Sequence, residues 1–339
     1  MSDYLWDKDG DPDPEIARLE RLLGRFAQPS SLRFELHPSV RQSRGSRWFG
    51  AALLAASLAI VVGGVTFALR FRPSVPGWTV TIADRQSTLA VGNWLETGKD
   101  ERATFNVANI GQVTIEPNTR LRLLDTRAGA HRVALAHGTM RATIWAPPNQ
   151  FFVETPSTLA VDLGCAYTLT MDEEGAGLVN VLVGWVGFKW RDRESFIPAG
   201  SSCPTRARFG PGTPYNDRVS PEYREALATI DFTPDSPDFV KSAQPPDTSM
   251  ALALVLNQST ERDEVTLWHL LSRVPPGQRD RVFDRLAVFA APPAGVTREG
   301  IRDGNRQMLD AWWDALGLGS TSLWRTWSQQ WKDTTADRR

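Results

Sequence analysis

Histidine and cysteine are scarce in this 339-residue chain, with four of the first and two of the second. His37, His131, His137 and His269 are not spaced with cysteines or carboxylates as a zinc site requires. His137 before Gly138 is read as a turn residue. A glycine-rich phosphate loop and a Gly-x-Ser-x-Gly elbow are also missing. The sequence therefore assigns no catalytic residue, metal ligand or cofactor, and the expectation is that the protein is not an enzyme. Asp172-Glu173-Glu174 before Gly175 is read as a solvated hairpin tip. A net charge of −1 sets up no global field for nucleic acid, so no direct nucleic-acid binding is expected.

Long apolar runs are absent with one exception. Trp48 to Leu69 holds 22 residues without a charge, and a helix needs about 20 mostly apolar residues to cross a bilayer. The run is long for a signal peptide and no small-residue cleavage site follows it. A single transmembrane helix over 48–69 is expected. Arg33, Arg41, Arg44 and Arg47 crowd its N-terminal flank, against Arg70, Arg72 and Arg85 beyond it. That places residues 1–47 in the cytoplasm and the rest outside. Cys165 and Cys203 both follow the span. In an exported domain they are expected to form a disulfide, the alternative being two free buried thiols.

The arm, 1–47, is too short for a large core. Asp13-Pro14 is a helix start, and Ile16, Leu19, Leu23 and Phe26 then recur on one face, widened by Leu22. Such a face needs a partner groove or a membrane surface. Tyr4 and Trp6 add an aromatic patch to the acidic tip, of the kind that anchors interfaces. These six residues, Tyr4, Trp6, Ile16, Leu19, Leu23 and Phe26, are the candidate partner-binding set.

Residues 70–219 read as a mainly β domain of short strands, a sandwich or β-roll. Residues 112–116, 120–123, 133–135, 139–144 and 151–153 carry the β pattern, with turn signals between them. The apolar stretch from Val179 to Val186 reads as one strand buried on both sides. Trp185 and Trp190 fit either a binding surface or a core. Residues 220–250 read as a linker with a short helix near Pro221 to Ile230. Residues 251–339 read as a small α-helical domain. There Val265, Trp268 and Leu271 follow a Thr260 cap, and Val282, Phe283, Leu286 and Phe289 mark a second helix. Met308, Leu309, Trp312, Trp313 and Leu316 precede Gly317, and Leu323, Trp324, Trp327 and Trp331 follow Ser320. Their aromatics are read as a helical core.

Several motifs of the β region occur in a telling order. They are Gly92-Asn93-Trp94-Leu95-Glu96-Thr97-Gly98, the strand and turn from Gln112 to Leu121, Val133 to Met140 with its His137-Gly138 step, Phe151-Phe152-Val153-Glu154-Thr155-Pro156, Val161 to Tyr167, Val181 to Val186, and Ile197-Pro198-Ala199-Gly200. Together, over roughly Trp78 to Ser202, they resemble the FecR family of bacterial membrane-anchored signalling proteins. The resemblance implies a single-pass inner-membrane protein with its N-terminus in the cytoplasm and its β domain in the periplasm. It also implies an extracytoplasmic-function sigma factor as the cytoplasmic partner, regulated in anti-sigma fashion, and an unnamed envelope protein or ligand as the input. The arm is shorter than the family's usual sigma-binding domain and lacks the His-x₃-Cys-x₂-Cys motif of another anti-sigma class. The C-terminal helices stand where iron-uptake regulators carry a receptor-docking domain. The alternative is an envelope interaction or scaffold protein whose β domain binds a cell-envelope component and whose arm is an anchor. Independently of the resemblance, Gly98, Gly111, Gly138 and Gly164 are expected beside strand ends, at positive φ or close backbone approach.

Overall fold

A computed structural model of the chain describes residues 77–233 and 248–318. All of them belong to one compact unit, Pro73–Arg339. The arm with its six candidate partner-binding residues, the apolar run 48–69 and the aromatic stretch around Leu323 to Trp331 lie outside the described residues. Among the described residues no helix is long and apolar enough to cross a membrane.

Alternation builds the β region. In β4 (Ala103–Val107) the buried residues are Ala103, Phe105 and Val107. In β5 (Gly111–Ile115) they are Gly111, Val113 and Ile115. A two-residue period puts each set on one face. β2 (Arg85–Ala90), β1 (Gly77–Ile82), β4 and β5 follow one another antiparallel. β5 then pairs with the second half of β7 (His131–Ile144). The same half pairs with β10 (Ala166–Met171), and the sheet continues through β11 (Gly177–Val183) to β14 (Ser201–Arg206). The first half of β7 serves a second sheet. It pairs antiparallel with β6 (Arg120–Asp125) and parallel with β8 (Phe151–Glu154). β3 (Trp94–Glu96) borders β6, while β9 (Leu159–Asp162), β12 (Trp185–Trp190) and β13 (Arg193–Pro198) follow β8. Side chains from both sheets, among them Phe105, Ile115, Leu121, Leu135, Leu169 and Phe188, share one core. This is the expected mainly β architecture, in sandwich form.

Gly138 explains how one strand joins two sheets. Its φ is +96°, and a Cβ added there would sit 2.4 Å from the Thr119 Cα. The His137-Gly138 step is thus a bend inside β7, where the sequence reading placed a turn. Gly111 is needed for close approach alone, since an added Cβ would lie 2.7 Å from the Thr143 carbonyl oxygen.

The stretch from Val179 to Val186 differs more. It is not one strand buried on both sides. Gly184, at φ +74°, breaks it into β11 and β12, and an added Cβ there would lie 2.2 Å from the Gly164 carbonyl oxygen. The chain changes sheets at that contact. Val179 and Val181 face the core, whereas Leu182 and Val183 are 61% and 62% exposed.

The helical part begins earlier than its sequence suggests. Helix α1 (Pro221–Phe232) has Ser220 as N-cap, its hydroxyl accepting from the Tyr223 amide, and proline in its first turn. Tyr223 and Leu227 of α1 enter the same core as Trp268, Phe283, Trp312 and Trp313. The stretch read as linker therefore carries a helix of the bundle. α2 (Thr248–Gln258), a short 3₁₀ turn (Glu261–Asp263), α3 (Glu264–Arg273), α4 (Pro276–Phe289), α5 (Arg298–Arg302) and α6 (Arg306–Ala315) complete it. Trp312 and Trp313 are fully buried, as core residues. Gly317, at φ +68°, follows the end of α6.

Candidate functional site

β13 ends its sheet. An edge strand offers unpaired amides and carbonyls to any passing chain. Helix α3 covers this one with side chains. The Phe196 amide donates to His269 Nε2 at 3.0 Å. Arg273 donates to the Glu194 carbonyl at 3.0 Å and to Ser195 Oγ at 2.6 Å. Because Nε2 of His269 accepts, Nδ1 carries the proton and donates to the Val265 carbonyl at 2.7 Å. Burial, reinforced by the Arg273 charge, pushes the His269 pKa down to about 3. The ring is neutral with both nitrogens engaged, so it is no acid–base catalyst.

Asp231, in the last turn of α1, sits under the same strand with its side chain fully buried. Its carboxylate accepts from Arg193 at 2.9 Å and Arg273 at 3.1 Å. It also accepts from the Thr213 amide at 2.6 Å and hydroxyl at 3.0 Å. Two guanidiniums face one carboxylate, but the C-terminal ends of α1 and α3 supply partial negative charge at the same place. Arg193 donates to the Asp231 backbone carbonyl at 3.0 Å, answering one of those ends. A cleft of about 540 Å³ opens beside this group, lined by Trp190, Arg191, Arg193, Arg208 and Phe209 among others. Arg193 and Arg273 at its floor are held by Asp231 and by the backbone carbonyls of Phe209, Pro211 and Glu194. The arrangement joins sheet to bundle. Trp185 serves that junction too, stacking edge-on against Trp313 at 5.9 Å.

A second polar cluster lies inside the sandwich. Asp162, at the end of β9, accepts from the Gly164 amide at 2.8 Å and from Cys165 Sγ at 2.9 Å. Burial pushes its pKa up to about 7, although those hydrogen bonds pull the other way. Burial and the neighbouring Asp162 charge push the Cys165 thiol far up, so it is not a reactive thiolate.

No disulfide joins Cys165 to Cys203, which corrects the sequence expectation: both are free and buried. Cys203 lies opposite Val179, and Val179 opposite Leu169, so two strand spacings separate Cys203 from β10. Cys165 lies four residues further along. Strand geometry makes the separation roughly 16 Å, against the 4.4–6.8 Å Cα distance that a disulfide needs (about 6 Å typically). Cys203 instead donates to the Gly212 carbonyl at 3.1 Å. Among the described residues no three histidine, cysteine or carboxylate side chains gather as metal ligands.

Sequence reading assigned no role to Asp162, Arg193, Asp231 or Arg273. A signal existed for Asp162 alone, as a lone charge in the apolar run Leu159-Ala160-Val161-Asp162-Leu163.

Residues 94–187 match the family model described as FecR protein. The β region thus carries a FecR domain, running from β3 into β12, where its motifs resemble one. The matched span is narrower than Trp78 to Ser202 and leaves out β1, β2, β13, β14 and the helices. Two crystal structures of a protein from Parabacteroides distasonis ATCC 8503, provisionally described as an anti-sigma factor, are similar to part of the chain. Their identities are 14% and 13%, with TM-scores of 0.32 and 0.33. Each match covers 40% of this chain and 65% or 64% of the other, under two thirds of its length. Likeness at that level carries no functional argument. No curated protein matches the chain.

Proposed function

We propose that this chain is a single-pass inner-membrane signalling protein that regulates an extracytoplasmic-function sigma factor in anti-sigma fashion. The observation that carries the reading is the FecR domain at residues 94–187, separated by the apolar run 48–69 from an amphipathic arm. The arm is the cytoplasmic end, and Tyr4, Trp6, Ile16, Leu19, Leu23 and Phe26 contact the sigma factor. The FecR domain and its helices lie in the periplasm and receive the input. Welding of sheet to bundle through Asp231 supports a periplasmic part that responds as one body.

The test is capture of a sigma factor by the full chain and by residues 1–47. Leu19→Asp with Leu23→Asp is expected to abolish capture, because each change buries a charge in a groove without a counter-ion. Changing Arg18 and Arg21, on the opposite face of the expected helix, should leave capture intact. Wild-type capture by the double aspartate variant would reject the helix-in-groove reading and leave the arm as an anchor, as in an envelope scaffold.

A further inference from the structure

A buried carboxylate needs an opposite charge or a full set of donors. Asp263 has neither among the described residues. It ends the 3₁₀ turn ahead of α3 and is 3% exposed. Its Oδ2 accepts from the Thr260 amide at 2.8 Å and hydroxyl at 2.9 Å. Its Oδ1 is buried without a hydrogen-bond partner. The start of α3 offers it partial positive charge, but no guanidinium or ammonium pairs with it among the described residues. Tyr223 of α1 is 1% exposed, and its hydroxyl is unpartnered as well. Arg285 of α4, a guanidinium whose charge reaches Tyr223, is held by Ser259, donating to its hydroxyl at 2.9 Å and to its carbonyl. Unsatisfied buried groups in a native fold call for a partner.

Asp263 and Tyr223 line one cavity of about 230 Å³. That is several times the roughly 30 Å³ of a water molecule, and below the roughly 300 Å³ at which drug-sized sites begin. The volume suits a ligand the size of a small amino acid. Gln258, the last residue of α2, lines the cavity too, so an occupant touches α1, α2 and the turn before α3 at once. Arg218 and Arg262 also border it. Both are exposed, and neither forms an ion pair among the described residues. The cavity therefore selects by charge twice. The arginines disfavour a plain cation, and the carboxylate disfavours a plain anion. A ligand that carries both charges answers both.

We propose that this cavity binds a free α-amino acid, its ammonium group toward Asp263 and Tyr223 and its carboxylate toward Arg218 and Arg262. Asp263 supplies the counter-charge for the ammonium, and the Tyr223 oxygen is a second acceptor for its protons. The two guanidiniums give the carboxylate charge-assisted hydrogen bonds on the solvent side. Ordered water is the competing occupant. The site stands on the helical part alone and does not depend on which partner the arm takes.

The test is the thermal midpoint of the detergent-solubilised full chain, followed by tryptophan fluorescence, with each proteinogenic L-amino acid at millimolar concentration. At least one with a small side chain should raise the midpoint, because a ligand of the folded state stabilises it. The amine and the acid that each lack one of its charged groups, ethylamine and propionate for alanine, should not. Arg218→Gln with Arg262→Gln should raise the concentration giving half the shift by about tenfold or more. The midpoint without amino acid should stay unchanged in that variant, since both side chains are exposed. Asp263→Asn keeps an oxygen for the Thr260 cap and should weaken the response as much, judged against its own midpoint. No shift with any amino acid would leave the cavity to water and overturn the proposal. So would an equal shift with the amine alone, or an undiminished one in the double glutamine variant. Sigma-factor capture, which reports on the arm, stands or falls separately from each of these results.

Discussion

Asp162 in the sandwich and His269 in the bundle are both buried, both hydrogen-bonded and both held neutral by desolvation, yet they pull stability in opposite directions with pH. Asp162 is raised from an ordinary value of 3.8 to about 7 in the folded protein. Its contribution is full below 3.8 and is lost as pH rises through 7. His269 is lowered from 6.5 to about 3. Its contribution is full above 6.5 and is lost as pH falls through 3. Between these limits the two slopes oppose each other. The contrast shows how each region tolerates a polar interior. The sandwich isolates one neutral carboxyl inside an aliphatic core. The bundle uses a neutral imidazole and a charged triad to bind a sheet edge that the sandwich leaves open.

The triad gives the strongest test of that difference. Asp231→Ala leaves Arg193 and Arg273 beside each other without a carboxylate, and Thr213 without its acceptor. Removing one partner of a buried ion pair costs about 3–5 kcal/mol. The loss should fall on the bundle and its junction. Denaturant unfolding followed by tryptophan fluorescence should therefore split into two transitions, the helices leaving first. A single transition moved by less than about 1 kcal/mol would mean that the apolar contacts around Phe196 and Trp313 hold the junction unaided.

The opposed titrations offer a second test. In Asp162→Asn the carboxyl slope disappears and the His269 slope stands alone. The variant should gain stability steadily from pH 4 to pH 6.5, where the wild type stays nearly flat. The two profiles should diverge by at most about 4 kcal/mol over that range, the linkage limit for a shift of roughly three units. Parallel profiles would show that Asp162 titrates near its ordinary value.

Much of this architecture was readable from residue pattern. Strand alternation gave the β region because one buried face imposes a two-residue period, and Thr260, Gly317 and the tryptophans outlined the helices. The exceptions have physical causes. Val179 to Val186 reads as one buried strand because seven of its eight residues are apolar or glycine, but Gly184 changes the sheet and so changes which side chains face out. The α1 helix itself is legible near Pro221 to Ile230, but the Pro, Ser and Asp around it make it read as part of a linker, whereas Tyr223 and Leu227 join the bundle core. The disulfide followed from compartment alone, and no sequence rule places Cys203 two strands from Cys165. Asp231, Arg193 and Arg273 were not legible as a unit, since residues 38 and 42 positions apart meet only through the packing of α1 and α3 on β13.

The smallest effect sharpens the comparison from the side of local structure. Strands of the sandwich satisfy their backbone on neighbouring strands, whereas each helix of the bundle needs its own solution at its first turn. At α6 that solution is Asn305, whose Oδ1 accepts from the amides of Gln307 at 3.0 Å and Met308 at 3.2 Å. This cap fixes the start of the helix that carries Trp312 and Trp313 into the core. Asn305→Ala should cost about 1 kcal/mol and Asn305→Gly only a few tenths. Both losses should appear in the tryptophan-reported unfolding of the bundle, and neither should alter hydrogen exchange within β4, β5 and β10. Equal costs for alanine and glycine would reject the side-chain cap as the cause. Faster exchange in those strands would show that the junction transmits a local helix defect into the sandwich.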